Sequence, residues 1–293
     1  MLEELVRFDF DEPPPELEFE QEFGELLEEV MESARFSLEN NQNITSLNEE
    51  DKIKLFNHAN RLFIKTPPLI NVALNYKICI EFGLPLHPTT YFDVLNEKKD
   101  SFQYNSEQRA EAINIYFHAI STSRNIFRLD NNCIDELDAY RKCLPLFLQS
   151  FVYTNKRDRY TWRASDSIQV KSIASEITAA EVKVDLVLGA AHGCICPAIQ
   201  LSNALNCDLY FLRHSRFKRK DQHPVISESD KDFINKYQHK TVLLLDEDVA
   251  KGDTLRSFVE SLSGMFAKTY SAAVIRHYLA PFQPDFVGSV WYD

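Results

Sequence analysis

Thr241-Val-Leu-Leu-Leu245 is a strand-length run that is almost wholly apolar. It ends in three consecutive acids, Asp246-Glu247-Asp248, followed by a short turn that holds Gly252. Such a run suits a strand buried on both faces of a parallel sheet. Its neighbours support that reading. Residues 185–189 read as a short buried strand, 197–206 as a helix, 209–212 as a strand and 230–237 as a short helix. Residues 254–266 read as a helix and 271–278 as a further strand, and a helix at 167–181 precedes them all. Strands alternating with helices at this spacing predict a parallel α/β sheet. In such sheets ligands sit beyond the carboxyl ends of the strands. Three of those ends carry unusual residues: 189–193, 213–223 and 246–254.

The first half has a different period. Phe23, Leu26, Leu27, Val30, Ala34 and Leu38 repeat at helical spacing over 22–40, and further helices are predicted at 48–64, 69–82, 107–128 and 133–150. Pro67-Pro68 is read as ending the second helix, and Gly83 with Pro85 as closing the third. Nothing in residues 1–150 alternates like a strand. The fold class expected is therefore α/β, a parallel-sheet domain preceded by an all-helical domain. The expected divisions are an acidic extension at 1–24, a helical domain at 25–150 and the α/β domain at 151–293. His58, His87 and His118 are lone histidines, read as surface or core residues, and no residue of the helical half proposes a chemistry.

Charge is distributed unevenly. The chain of 293 residues carries a net −12, and residues 1–32 alone hold 13 acids against Arg7. The other 261 residues are neutral, with 31 acids and 31 bases. The acidic block reads as a solvated extension or as a docking arm for a basic partner; Pro13-Pro14-Pro15 blocks a helix within it. General nucleic-acid binding is not expected, because phosphate contacts need a basic excess. No stretch reaches the ~20 apolar residues of a membrane helix, and no secretory leader is expected at the start, so a cytoplasmic protein is anticipated. The six cysteines form no CxxC pair, and reduced thiols are expected. Cys194-Ile-Cys196 has no second pair to complete a metal site, so it is read as two small residues near a turn.

The turn after the acids, Ala250-Lys251-Gly252-Asp253-Thr254, leads into a helix start, with Thr254 expected as N-cap. Backbone N–H groups at the positive end of a helix dipole make a phosphate site. Acids beside a phosphate make sense if they meet hydroxyls, so the pattern suits a ligand carrying ribose and phosphate. The whole segment from Val242 to Leu255 closely resembles the phosphoribosyl-pyrophosphate signature of type I phosphoribosyltransferases, with a flavour closest to the purine enzymes. The resemblance spans roughly residues 155–293.

The resemblance implies that Asp246 and Glu247 are the catalytic acidic pair that binds ribose hydroxyls, meeting metal only through a Mg²⁺-bound ligand. It implies that Ala250, Lys251, Gly252, Asp253 and Thr254 cradle the 5′-phosphate. Three departures stand out: Glu247 in place of the commoner Asp, Asp248 where an apolar residue is usual, and Lys251 in place of a loop Thr. Ala250 also lacks the carboxylate that 6-oxopurine members place there. Upstream, Asp185-Leu-Val-Leu-Gly-Ala-Ala-His-Gly-Cys is similar to the family's strand and pyrophosphate loop, which implicates Ala191, His192, Gly193 and, from the next strand end, Arg213. His192 is a pyrophosphate donor or simply a turn residue. Arg216, Lys218, Arg219 and Lys220 match in position the basic flexible loop that closes over the site; the rival reading is a solvated charged face. At the C-terminus Trp291 is a base-stacking candidate, or else an edge-strand core residue. Arg276 lies near a base-contacting Lys of purine members.

The reaction implied by the resemblance is transfer of the phosphoribosyl group to a nitrogenous base, expected to be a purine, with release of pyrophosphate and Mg²⁺ as cofactor. The expected ligand is phosphoribosyl pyrophosphate or a nucleotide. The helical half and acidic arm are expected surfaces for a protein partner, and self-association is left open. The alternative keeps the fold and reads a non-catalytic nucleotide-binding regulator or effector. A dinucleotide fold fails for want of GxGxxG. A glycosyltransferase DxD reading ignores the turn and helix that follow the acids.

Overall fold

The computed structural model describes residues 1–41, 43–86, 102–216 and 220–292. They form two compact units, one of Met1–Asp9 with Pro13–Arg157, the other of Phe10–Glu12 with Asp158–Asp293. The division thus falls a few residues later than the expected 150/151.

In the first unit the apolar spacing of the sequence becomes helices. These are α1 (Phe23–Asn41), α2 (Glu49–Lys65), α3 (Pro67–Glu81), α4 (Ser106–Arg128), α5 (Cys133–Cys143) and the single turn α6 (Leu146–Gln149). Phe23, Leu26, Leu27, Val30 and Ala34 of α1 are fully buried, as their spacing requires. Asn48 caps α2 by accepting the Asp51 N–H at 2.9 Å, and Asn105 caps α4 with Gln108 reaching back. Two helix limits differ from the sequence reading. Pro67 and Pro68 open α3, since a first-turn residue needs no N–H donor. The helix expected over 133–150 breaks, because Pro145 cannot donate and α5 ends two residues before it.

The acidic N-terminal stretch is not a free extension. Leu2 and Leu5 are buried, and the Arg7 N–H donates to Asn60 Oδ1 at 2.8 Å. Strand β1 (Phe19–Glu22), which sequence periodicity does not reveal, pairs antiparallel with β2 (Val152–Asn155). Its two inward side chains are too few to make an alternation stand out.

The second unit contains α7 (Arg159–Arg163), α8 (Ser167–Ala179), β3 (Leu186–Ala191), α9 (Ile195–Leu205) and β4 (Asp208–Arg213). It continues with α10 (Glu228–Asn235), β5 (Thr241–Val249), α11 (Asp253–Leu262), β6 (Lys268–His277) and β7 (Phe286–Trp291). Its five strands form one parallel sheet in the order β4-β3-β5-β6-β7, the expected α/β class. Every residue of β3 is buried, and Val242–Leu245 of β5 are fully so. From β3 the chain crosses outward to β4, then returns past β3 to form β5. The order therefore reverses between β3 and β5, and the crevice beyond their carboxyl ends is the ligand position this topology favours. The return from β6 to β7 takes only residues 278–285. It is fastened by Asp285, whose Oδ2 accepts from the Ser271 N–H at 2.7 Å and its Oγ at 2.8 Å. Among the described residues no helix is long and apolar enough to cross a membrane.

Candidate functional site

β5 runs four residues further than its apolar run, so Asp246, Glu247 and Asp248 lie within the strand. The register pairs Asp246 with Ala273 and Asp248 with Ile275. Alternation puts those two carboxylates on one face and Glu247 on the other. Asp246 is 4% exposed and its Oδ1 accepts the Glu247 N–H at 3.1 Å. Burial first, and then the neighbouring Glu247 carboxylate, hold the Asp246 carboxyl well above the ordinary range. Burial also pushes Asp248 up to about 6, although His277, with Nε2 at 3.1 Å from Asp248 Oδ1, partly offsets it. Two acids whose charges burial disfavours, with the Glu247 carboxylate between them in the strand, make a site that gains from a cationic or hydroxyl-bearing ligand.

The loop after β3 meets this strand directly. A Cβ on Gly193 would fall 1.8 Å from Glu247 Oε1, so the loop lies directly against that carboxylate, and any larger residue there would displace the Glu247 side chain. Ala191 and Cys194 are buried and His192 half-buried; burial pushes the Cys194 thiol well above its usual range, which fits an inert packing role.

After β5, Ala250 and Lys251 are exposed and Gly252 turns the chain with φ 80°. Gly252, not Thr254, is the N-cap of α11; Asp253 and Thr254 are its first two helical residues. A Cβ on Gly252 would fall 2.4 Å from Phe282 Cβ, so both the conformation and the space demand glycine. The first N–H groups of α11 lack helical acceptors and mark the positive end of its dipole. Loop 190–194 and loop 250–252 therefore flank the switch point together, with Glu247 beside the first of them.

The end of β4 departs from the expectation for Arg213. Arg213 is 1% exposed and its Nη2 lies 3.4 Å from Asp221 Oδ1, itself buried. Asp221 Oδ2 also accepts the Ser215 N–H at 3.1 Å. Arg213 thus ties down the base of the basic loop and is not presented to a ligand. Arg216 donates to Gln222 Oε1 at 3.3 Å, and Lys220 is exposed in a left-handed turn with φ 58°. Lys218 and Arg219 lie outside the described residues, as does His87. His214, which no sequence signal singles out, is buried with Nε2 2.6 Å from Ser257 Oγ on α11. Burial lowers its pKa to about 4, so it is neutral at pH 7.

The structure does not bring Arg276 and Trp291 together. Trp291 pairs in register with His277, whereas Arg276 pairs with Val290, on the opposite face of the sheet. Arg276 donates to the Tyr278 carbonyl at 3.3 Å. The Arg163 guanidinium lies over the Trp291 ring at 3.7 Å, and Tyr160 and His277 stand at ring distances of 6.4 and 5.6 Å. Sequence reading missed Tyr160, Arg163 and His277; only Asp158, a helix N-cap, signals that region.

Residues 165–277 match the family model of the phosphoribosyl transferase domain. This part of the chain is a phosphoribosyl transferase domain. The match takes in both loops of the switch point, the acidic strand and the basic loop, and it leaves β7 and α7 outside. Solved structures similar to the chain include a purine phosphoribosyltransferase from Pyrococcus horikoshii, at 19% identity over 43% of this chain and 83% of that one, TM-score 0.35. A hypoxanthine phosphoribosyltransferase from Staphylococcus aureus is 18% identical over 44% and 76%, TM-score 0.36. A Neisseria gonorrhoeae protein with bound ppGpp is 20% identical over 43% and 79%, TM-score 0.36. No curated protein matches the chain.

Proposed function

We propose that the phosphoribosyl transferase domain binds Mg²⁺–phosphoribosyl pyrophosphate and transfers the phosphoribosyl group to a purine-type base, releasing pyrophosphate. The observation that carries this reading is the contact of Gly193 with Glu247 at the switch point, beside the Gly252-capped helix. It gathers one loop for pyrophosphate, one for the 5′-phosphate and an acidic strand for the ribose around one crevice.

Each group of residues has a separate task in this reading. The backbone of 250–254 binds the 5′-phosphate, and Lys251 adds charge. Asp246 and Glu247 accept from the ribose hydroxyls and thereby fix C1 for in-line attack by the base. As positive charge grows on the sugar ring, the same carboxylates stabilise it. The backbone of 190–194 orients the leaving pyrophosphate. Arg216 and Lys220 lie on the loop that neutralises it and excludes water, against which the transfer competes. The hard oxygen donors fit Mg²⁺, and the raised pKa of Asp246 is the kind of strain a nearby cation relieves. When bound, Mg²⁺ supplies charge neutralisation at the pyrophosphate oxygens.

Two observations favour a second reading, a nucleotide-binding regulator: Arg213 is taken up by Asp221, and Ala250 offers no carboxylate. The deciding experiment is single-turnover release of pyrophosphate from phosphoribosyl pyrophosphate with a panel of purine and pyrimidine bases, beside calorimetric binding. Release with a purine supports the transferase. Tight nucleotide binding without release from any base supports the regulator. Asp246→Asn with Glu247→Gln should weaken phosphoribosyl pyrophosphate at least tenfold, since each charged hydrogen bond is worth roughly 1.5–3 kcal/mol. Unchanged affinity removes the site from this strand.

A further inference from the structure

Three residues of the N-terminal stretch, Phe10–Glu12, belong to the phosphoribosyl transferase unit rather than to the helical one. Phe10 stacks on Trp162 at 5.1 Å with 23° between the rings, and Trp162 is almost wholly buried. The next residue, Asp11, forms an ion pair with Arg163. Arg163 is the last residue of α7, and its guanidinium covers one face of Trp291. The contacts then run inward. Trp291 lies beside His277, His277 meets Asp248, and Asp248 adjoins Glu247 of the acidic strand. The tip of a distant chain segment is thereby linked to the edge of the site by five side chains in series.

An arginine over an indole is held by the ring quadrupole, and a carboxylate on its outer side neutralises the charge and fixes the fork. A planar base needs the same ring surface, because it stacks on aromatic faces as a guanidinium does. The two are therefore competitors for Trp291. The phenyl–indole stack supplies the anchor, and the adjoining carboxylate supplies the reach.

We propose that Phe10–Glu12 is an intramolecular strap that holds Arg163 over Trp291 and so keeps a purine ring from stacking there until the strap lets go. Asp11 is a positioning residue that acts through Arg163. The strap rests on the reading of this domain as a site for phosphoribosyl ligands, because only there does the Trp291 face matter to a base.

The 293-residue chain with Trp162→Phe retains a ring for Phe10 and leaves Trp291 as its single tryptophan. Two readouts are taken in that background: acrylamide quenching of Trp291, and calorimetric affinity for GMP and for ribose 5-phosphate. Asp11→Asn is expected to raise the quenching constant about twofold, as one ring face opens, and to tighten GMP three- to tenfold with ribose 5-phosphate unchanged. Arg163→Gln, which removes the guanidinium itself, should do the same, while Glu12→Gln should do neither. Quenching that stays constant in both Asp11→Asn and Arg163→Gln overturns the strap whatever the ligands do. Increased quenching with GMP unchanged or weaker overturns its competition with a base. If no variant binds either ligand, the site reading itself fails and takes the strap's role with it, while the quenching result stands apart and tells the two failures from each other. An equal gain for GMP and ribose 5-phosphate also overturns the proposal, since the strap acts only at the base end.

Discussion

Gly193 lies so close to Glu247 that a single methyl group in its place would fall 1.8 Å from the carboxylate oxygen. The loop after β3 and the acidic strand β5 are thus fitted to each other at one atom's width. The atom in the way belongs to the far end of a flexible side chain, so the protein can absorb the change by moving Glu247.

Gly193→Ala should therefore separate stability from binding. The melting temperature is expected to fall by no more than a few degrees, about 1 kcal/mol for a unit of this size. Affinity for phosphoribosyl pyrophosphate should drop tenfold or more, as the displaced Glu247 loses a charged hydrogen bond. Thermal unfolding and calorimetry on the same preparation check both halves. Equal affinity in variant and wild type would mean that Glu247 takes no part in binding.

Gly252→Ala presents the opposite balance. Here the clash is with the Phe282 Cβ, and the backbone sits at φ 80°. A non-glycine residue in that region costs on the order of 1–3 kcal/mol before any steric term. The variant should be visibly less stable by urea unfolding. Adding Phe282→Ala leaves the Cβ in place and should restore little, whereas Phe282→Gly should recover the steric part alone.

Acid should act on His214 in a defined window. Its folded-state pKa, lowered to about 4 by burial, lies below that of an ordinary histidine. The neutral form is the folded one, so stability is full above pH 6.5 and is lost as pH falls from there toward 4. The loss is worth roughly 3 kcal/mol at most. His214→Gln, which can still reach Ser257 Oγ, should flatten this part of the profile. A slope identical to wild type between pH 6.5 and 4.5 would assign the loss to other groups.

Asp248 contributes with the opposite sign. Its pKa is raised to about 6, so its ionised form is disfavoured by folding. The associated stability is present below about pH 4 and is lost as pH rises through 6, on the order of 2–3 kcal/mol. Asp248→Asn should be more stable than wild type at pH 7.5 and indistinguishable from it at pH 3.5–4. Melting curves at four or five pH values between those limits read the crossing. A variant less stable than wild type at pH 7.5 would mean that the His277 contact outweighs the burial of the charge.

Much of this protein is dictated by local chemistry. The apolar run at 242–245, the glycine after it and the alternation of strand and helix define a parallel sheet with a glycine turn and helix start at a strand end. The helical half is equally readable from the spacing of residues such as Leu26, Val30 and Ala34. Other features depend on neighbours distant in sequence. The length of β5 is one: Asp246 and Asp248 are poor strand residues, held in the ladder because Ala273 and Ile275 of β6 pair with them. The burial of Arg213 is another, since a basic residue in a basic stretch reads as solvated until Asp221 folds back on it. Nor does the spacing of Arg276 and Trp291 reveal that register sends them to opposite faces. The acidic start reads as a solvated arm because charge is local in sequence. Only the folded chain brings Phe10 to Trp162 and Asp11 to Arg163, across some 150 residues whose separation costs little once the loop between them is already ordered. Period and turn chemistry are written along the chain, and register, burial and ion pairing are properties of surfaces that meet only when it folds.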